Sequence, residues 1–230
     1  MKRILLKISG EMLGENGFSA EKIKKLARQI SKIRQKSDIE IAIVFGGGNL
    51  WRGRDCENFD FPRAESDKIG MTGTFLNAAI FSRTLENFSI EAKIFALQNF
   101  PLLSNQHDIA KEKLELKSGK IIIFAGGTGN PFFSTDSAAV LRALEIEAEA
   151  VFKITNVSGV FDCDPKKNKK AKKFDQISFS EAIEKKLKVM DQTAFLLAAE
   201  YKLPIFVFSG QKIENISEAI FGKVNGTWVR

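Results

Sequence analysis

The sequence predicts an α/β protein, a three-layer αβα sandwich around a mainly parallel sheet. Three observations predict it. Short β-rich runs recur along the chain, stretches with helical spacing lie between most of them, and the runs are continuously apolar rather than alternating. Strands separated by helices form βαβ units. A strand covered on both faces has no solvent side to keep polar.

The first strand is "RILLKI" (3 to 8). A helix follows over 19 to 36, where Ile23, Leu26, Ala27, Ile30 and Ile33 share one face behind Ser19 as N-cap, with lysines and arginines opposite. "IEIAIVF" (39 to 45) is the second strand, a helix covers roughly 64 to 88, and "EAKIFAL" (91 to 97) is the third strand. Helices over 107 to 117 and 135 to 148 flank "KIIIFA" (120 to 125), and "EAVFKI" (149 to 154) comes next. The stretch 178 to 201 reads as two helices, "LPIFVF" (203 to 208) as the last strand and 213 to 221 as the last helix. There is no internal repeat and no Pro- or Ser-rich linker, so one compact unit is expected.

At 230 residues and 44% hydrophobic content the chain can bury a sizeable core. Thirty-five Lys and Arg against 28 Asp and Glu give a net charge of +7. That balance favours an anionic partner such as a nucleotide, nucleic acid or acidic lipid. Lys7 interrupts the apolar start of the chain, leaving no signal-peptide core. Nor does any apolar run approach the roughly 20 residues that span a bilayer, so a cytoplasmic protein is expected. Cys56 and Cys163 lack CxxC spacing and read as reduced thiols.

In an open parallel sheet, ligands bind where strands end and helices begin. Three of the strands end in glycine-bearing turns: "KISGEMLG" with Lys7, Ser9 and Gly10, "FGGGNLWRG" with Gly46 to Gly48 and Arg52, and "FAGGTGNPFFSTD". Glycine lets a backbone approach an anion, and amides at the following helix start point towards it. One such turn is ordinary, but three on one edge, two with cations, form phosphate cradles. Neither GxxxxGK[ST] nor a complete GxGxxG is present, so this is neither a P-loop nor a dinucleotide site. Phosphoryl transfer needs mainly positioning and neutralisation of spread negative charge, which amides, lysines, arginines and Mg²⁺ supply. Lys7 could equally be an edge lysine whose stem snorkels to solvent.

The stretches "LLKISGEML", "VFGGGNLWRG", "ESDKIGMTGTFLNA", "FAGGTGNPFFSTDSAAVLRALEIEAEAVFKITNVSGVFDCDP" and "LKVMDQTAF" occur in that order. Together they resemble bacterial uridylate (UMP) kinases of the amino acid kinase superfamily over essentially the full chain. The resemblance implies one domain over 1–230, transfer of the γ-phosphoryl group of MgATP to UMP, and a homohexamer that GTP activates or UTP inhibits. The N-terminal part would bind UMP and phosphates, and the part from about 150 to 230 would bind ATP. It puts Lys7, Ile8, Ser9 and Gly10 at the ATP phosphates with Gly48 and Arg52, and Thr155, Phe161 and Asp164 at the ATP base and ribose. Gly47 would face the UMP phosphate and Asp67 the ribose hydroxyls. Thr128, Gly129, Asn130, Pro131, Phe132, Phe133, Ser134 and Thr135 would wrap UMP. Asp136 and Asp191 would organise catalysis, Asp136 near the acceptor and Asp191 near Lys7 and the metal-bound phosphates. Asp136 also suits a helix start, where a carboxylate complements the dipole.

The chain departs from the usual family wording at Ser158, Phe161 and Cys163, where relatives carry Asp, Tyr and Ala, and at Trp51 and Ser134. Loss of the aspartate removes a negative charge from the ATP side. Lys166, Lys167, Lys169, Lys170, Lys172 and Lys173 crowd one segment. Without interleaved aromatics they read as a solvated loop near the ATP site rather than a nucleic-acid patch. His107, the sole histidine, has no nearby nucleophile in sequence and reads as a helix-start or surface residue. Two other readings remain: a superfamily kinase acting on acetylglutamate or carbamate, and a basic nucleic-acid-binding regulator on the same fold.

Overall fold

A computed structural model describes residues 2–98, 100–165 and 167–230. Its elements in chain order are β1 (Arg3–Ile8), α1 (Ala20–Lys36), β2 (Glu40–Phe45), α2 (Arg63–Glu86), β3 (Ala92–Ala96), β4 (Asn105–Gln106), α3 (Ile109–Lys117), β5 (Ile121–Ala125), α4 (Thr135–Glu145), β6 (Ala150–Thr155), β7 (Gln176–Ile177), α5 (Phe179–Glu184), α6 (Gln192–Glu200), β8 (Ile205–Ser209), α7 (Asn215–Ile220) and β9 (Thr227–Val229). Five of the helices begin at a side-chain cap: Ser19, Asp108, Ser134, Ser178 and Asp191 each accept from a backbone amide in the first turn.

Among the described residues the strands form one sheet in the order β4-β3-β5-β2-β1-β6-β8-β9-β7. Pairing is parallel except between β8 and β9. Every residue of β1 and β2 is buried, as expected for strands covered on both faces. Ile4, Leu6 and Ile8 point to one face, where α1, α2 and α7 supply Leu26, Ile30, Phe81 and Ile216. Leu5 points to the other face, packed with Val140, Ala143 and Phe195 of α4 and α6. The period of two along a strand thereby divides the core into two layers.

The six long strand runs all form strands within one or two residues of their predicted bounds. Three more, β4, β7 and β9, are two or three residues long, too short to show a period in sequence. Helix α4 stops at Glu145 rather than at 148, because Ala148 and Glu149 turn into β6. Among the described residues no helix is long and apolar enough to cross a membrane.

Charge also enters this core on β1 and β2, at the end of the strands opposite the one used below. Arg3 and Glu40 are partners in register on β1 and β2, both buried, and their side chains pair at 2.6 Å. The Arg3 guanidinium also donates to the carbonyl of Ile146, so the buried charge pair is hydrogen-bonded as burial requires.

Phe152 on β6 is fully buried and meets Phe206 and Trp228 edge to face at 5.7 and 6.0 Å. Phe152→Ala should lower stability by about 3–5 kcal/mol, read as a lower urea midpoint at unchanged slope.

Candidate functional site

The parallel registers bring the carboxyl ends of β1, β2, β5, β6 and β8 to one edge of the sheet. The glycine turns leave from that edge. The first and second are locked together: Gly46 N–H donates to Ile8 O at 2.9 Å, and Asn49 and Asn77 exchange amide hydrogen bonds at 3.1 and 2.8 Å. Asn77 also donates to Gly46 O at 2.7 Å, so helix α2 pins the second turn from behind. In the third turn Gly126, Gly127 and Gly129 have φ of 78°, 60° and 82°. This left-handed run costs other residues steric energy and glycine very little.

At the centre of the edge lies a buried charge cluster. Lys7 and Lys153 are partners in register on β1 and β6, and both project to the α4 side of the sheet, one alternation out of phase with Leu6 and Phe152. The Asp136 carboxylate, in the first turn of α4, sits between them. It pairs with Lys7 Nζ at 2.8 Å through Oδ1 and with Lys153 Nζ through Oδ2. Burial opposes the Asp136 charge, but the ammonium groups of Lys153 and Lys7 outweigh it and hold the carboxyl far below the usual range. Burial pushes Lys153 down to about 8, helped by the like charge of Lys7 and resisted by Asp136. Two ammonium groups against one carboxylate leave a net positive charge, desolvated and fixed, at the mouth of the sheet. That arrangement suits a polyanion whose charge shifts during reaction.

Two clefts open beside the cluster. The larger, about 560 Å³, is lined by Thr155, Phe161 and Asp164, the three residues expected at the ATP base and ribose, and also by Cys163, Lys167 and Lys188. Thr155 lies two residues beyond Lys153 on β6, on the same side of the strand. The smaller cleft, about 260 Å³, is lined by Gly47, Asp67, Phe132, Phe133, Ser134 and Thr135, and by Gly48 and Arg52. Thr135 directly precedes Asp136, so a wall residue of each cleft lies within two residues of the charge cluster. Phe132 and Phe133 are 74% and 50% exposed, rings standing open at the rim of the smaller one.

Several expected residues sit differently. Thr128, Gly129, Asn130 and Pro131 form the shoulder of the loop rather than its wall: Thr128 Oγ1 accepts from Asn130 N at 3.2 Å, and Gly129 N donates to Gly126 O at 3.0 Å. The Ile8 side chain is in the core and its carbonyl is already spent on Gly46. Both acids lie near the lysines, Asp136 in direct contact and Asp191 close enough for its charge to act on Lys153. Asp136 meets Lys7, while Asp191 caps α6 and accepts from Ser137 Oγ at 3.0 Å and from Ser134 Oγ, tying α6 to the start of α4. Ser9 and Arg52 both turn to Glu11: Ser9 Oγ donates to one carboxylate oxygen and Arg52 to the other at 2.9 Å.

Lys153 and Glu11 were not singled out from the sequence. A signal for Lys153 existed in "FKIT", which repeats the lysine-before-the-strand-end pattern of "LKIS". His107 precedes the α3 cap as read, but its ring is enclosed: Nδ1 meets Glu112 Oε1 at 2.6 Å and Nε2 meets Arg142 at 2.7 Å. Since Arg142 can only donate, Nε2 accepts and Nδ1 carries the proton to Glu112. Burial raises the Glu112 carboxyl above its usual range. Of the six crowded lysines, Lys166 lies outside the described residues. Lys167, Lys169, Lys170 and Lys172 are exposed, and Lys173 turns inward to Asn225. Cys56 and Cys163 are both free thiols.

The sequence pattern of the amino acid kinase family matches residues 2–209. A protein of Rickettsia bellii (strain RML369-C) named uridylate kinase is 42% identical over 224 residues, 95% of this chain and 92% of that protein. The crystal structure of UMP kinase from Bacillus anthracis superposes with a TM-score of 0.94 at 33% identity, covering all of this chain and 96% of that one. UMP kinase from Ureaplasma parvum gives 0.93 at 34%, covering 99% and 98%. Uridylate kinase from Archaeoglobus fulgidus gives 0.76 at 28%, with both chains fully covered.

Because the folded Lys153 sits near 8 against an ordinary 10.5, its proton is held more weakly in the native state than in the unfolded chain. Stability should therefore rise with pH between about 8 and 10.5. Binding of inorganic triphosphate should do the reverse, weakening as pH rises through about 8 when the ammonium is lost. Titration calorimetry at pH 7, 8 and 9 checks this, and Lys153→Arg, which stays charged, should flatten the dependence.

Proposed function

The chain belongs to the amino acid kinase family, and from that premise we propose that it is a cytoplasmic UMP kinase, transferring the γ-phosphoryl group of ATP to UMP with release of UDP and ADP. The observation that carries the reading is the buried Lys7–Asp136–Lys153 cluster, with Thr155 and Thr135 beside it on the walls of two clefts. The full-length likeness to proteins named uridylate kinase supplies the acceptor. The larger cleft takes the ATP base and ribose against Phe161, with Thr155 and Asp164 beside it. The smaller takes UMP, with the rings of Phe132 and Phe133 closing over a planar base.

The chemistry follows from the charges. The acceptor is a phosphate monoester whose second pKa is about 6, so its attacking oxygen is already ionised at neutral pH. No side chain need remove a proton, and the one histidine is committed to Glu112 and Arg142. What the reaction requires is that two anions be brought together and the charge on the transferring group be stabilised. Lys7 and Lys153 supply cations on one side and Arg52 on the other, while glycine amides of the first two turns hold the donor phosphates. Asp136 keeps the two lysines fixed without neutralising both. In this reading magnesium arrives on the ATP phosphates as part of the substrate. A homohexamer, GTP activation and UTP inhibition belong to the same reading. The apolar Ile69 and Leu76, exposed on α2, are surfaces that assembly would cover.

An ADP-release assay should give turnover with UMP well above CMP, acetylglutamate or carbamate. Absence of activity with UMP would overturn the assignment, and preference for acetylglutamate or carbamate would move the chain to another branch of the family. Lys7→Ala and Arg52→Ala should each lower kcat by roughly 10²-fold or more, and wild-type rates in either would remove its role. Asp67→Ala should instead raise the KM for UMP more than it lowers kcat.

A further inference from the structure

Asp67 has been assigned only the acceptor ribose, yet its carboxylate is already engaged on both oxygens. Oδ2 accepts from the backbone N–H of Phe132 at 2.9 Å, and Oδ1 accepts from Arg63 Nε at 2.8 Å. The first bond ties α2 to the acceptor loop at a residue held in a left-handed conformation, Phe132 with φ of 70°, which a non-glycine residue adopts only at a cost. The second comes from one turn earlier on the same helix. Gly53 closes the arrangement from a third segment: a Cβ there would lie 2.1 Å from Asp67 Oδ1 and 2.6 Å from Arg63 Nε. Three separate parts of the chain thus converge on the Asp67–Arg63 pair, and Gly53, Arg63, Asp67 and Phe132 all line the smaller cleft.

We infer that Arg63 is a positioning and specificity-determining residue for the acceptor, orienting the Asp67 carboxylate so that it receives a vicinal diol and distinguishes a ribonucleotide from a 2′-deoxyribonucleotide. The inference rests on the reading of the smaller cleft as the UMP site. An ionised carboxylate has about four lone-pair directions. Two are taken by Phe132 N–H and Arg63 Nε, and two remain, one per oxygen, matched to two adjacent hydroxyls. Nε holds the carboxylate edge-on, and the planar guanidinium cannot rotate its donors independently as an ammonium can. The terminal nitrogens of Arg63 have no partner among the described residues, and the side chain is half exposed into the cleft. They are free to donate to the oxygen of a hydroxyl bound to Asp67. Removing Arg63 leaves the carboxylate in place but loose, which weakens recognition of the diol without touching the transferring phosphoryl group.

The test is steady-state kinetics with UMP and dUMP on the wild type, Arg63→Met and Arg63→Lys. For Arg63→Met we expect KM for UMP to rise about tenfold with kcat within twofold, KM for dUMP to stay the same, and the UMP/dUMP ratio of kcat/KM to fall about tenfold. Arg63→Lys, which keeps the charge but not the fork, should recover less than half of that ratio. An unchanged ratio, an equal loss on both nucleotides, or a loss confined to kcat each overturns the role of Arg63. Should Arg63→Met fail to fold by thermal melting, Arg63→Gln is judged by the same ratio. A wild type that does not turn over UMP removes the functional reading itself. A wild type that does, with the ratio intact in the variants, removes only the role of Arg63.

Discussion

Everything at the catalytic edge depends on one carboxylate held between two ammonium groups. Taking three charges out of water is expensive, and the attraction among them repays it only when geometry is tight. Three elements set that geometry independently. The register of β1 against β6 puts Lys7 and Lys153 side by side, the alternation of side chains along each strand turns both to the same face, and the cap at Ser134 starts α4 so that Asp136 falls between them. A one-residue slip in either strand would send a lysine into the opposite core layer among Ile and Phe side chains. The cluster therefore penalises wrong registers as well as fixing positive charge at the sheet edge.

Around that centre the two clefts share their framework. The larger is built from the segment after β6 and the connection between α5 and α6, the smaller from the turns after β2 and β5 and the first half of α2. Asp191 connects them. It begins α6 and at the same time accepts from two serines at the start of α4, one of which caps the helix carrying Asp136. A shift of α6 would be felt at Ser134, on the wall of the smaller cleft. In the proposed transfer, the halves that hold donor and acceptor are joined by a hydrogen-bonded hinge of short, stiff side chains.

How much of this was legible in the chain varies with the range of the interaction. Strands two faces deep announce themselves as unbroken apolar runs, and turns that need left-handed backbone announce themselves as glycines, so the sheet, its edge and the three turns could be read directly. Lys7 could be singled out because it interrupts such a run. Lys153 interrupts one in the same way, but its meaning appears only when β6 is laid beside β1, and no local pattern encodes that pairing. Glu11 and Arg63 are ordinary charged residues until folding sets them against Arg52 and Asp67. The direct pairing of Asp136 with both lysines has the same cause: Asp136 and Asp191 both sit at helix starts, and sequence alone does not say which of them touches the lysines. His107 was read as peripheral because its partners, Glu112 and Arg142, lie on two other elements.

The short outer strands have a consequence for how the molecule behaves in a crowded solution. A long parallel sheet with free borders offers unpaired amides and carbonyls to any neighbouring chain, and so templates aggregation. Here the two outermost strands, β4 and β7, are two residues each. β9 runs antiparallel to β8, which interrupts the parallel run beside the border. Outer strands this short leave few hydrogen-bonding groups of their own at the borders, which blunts edge-to-edge pairing of the broad sheet.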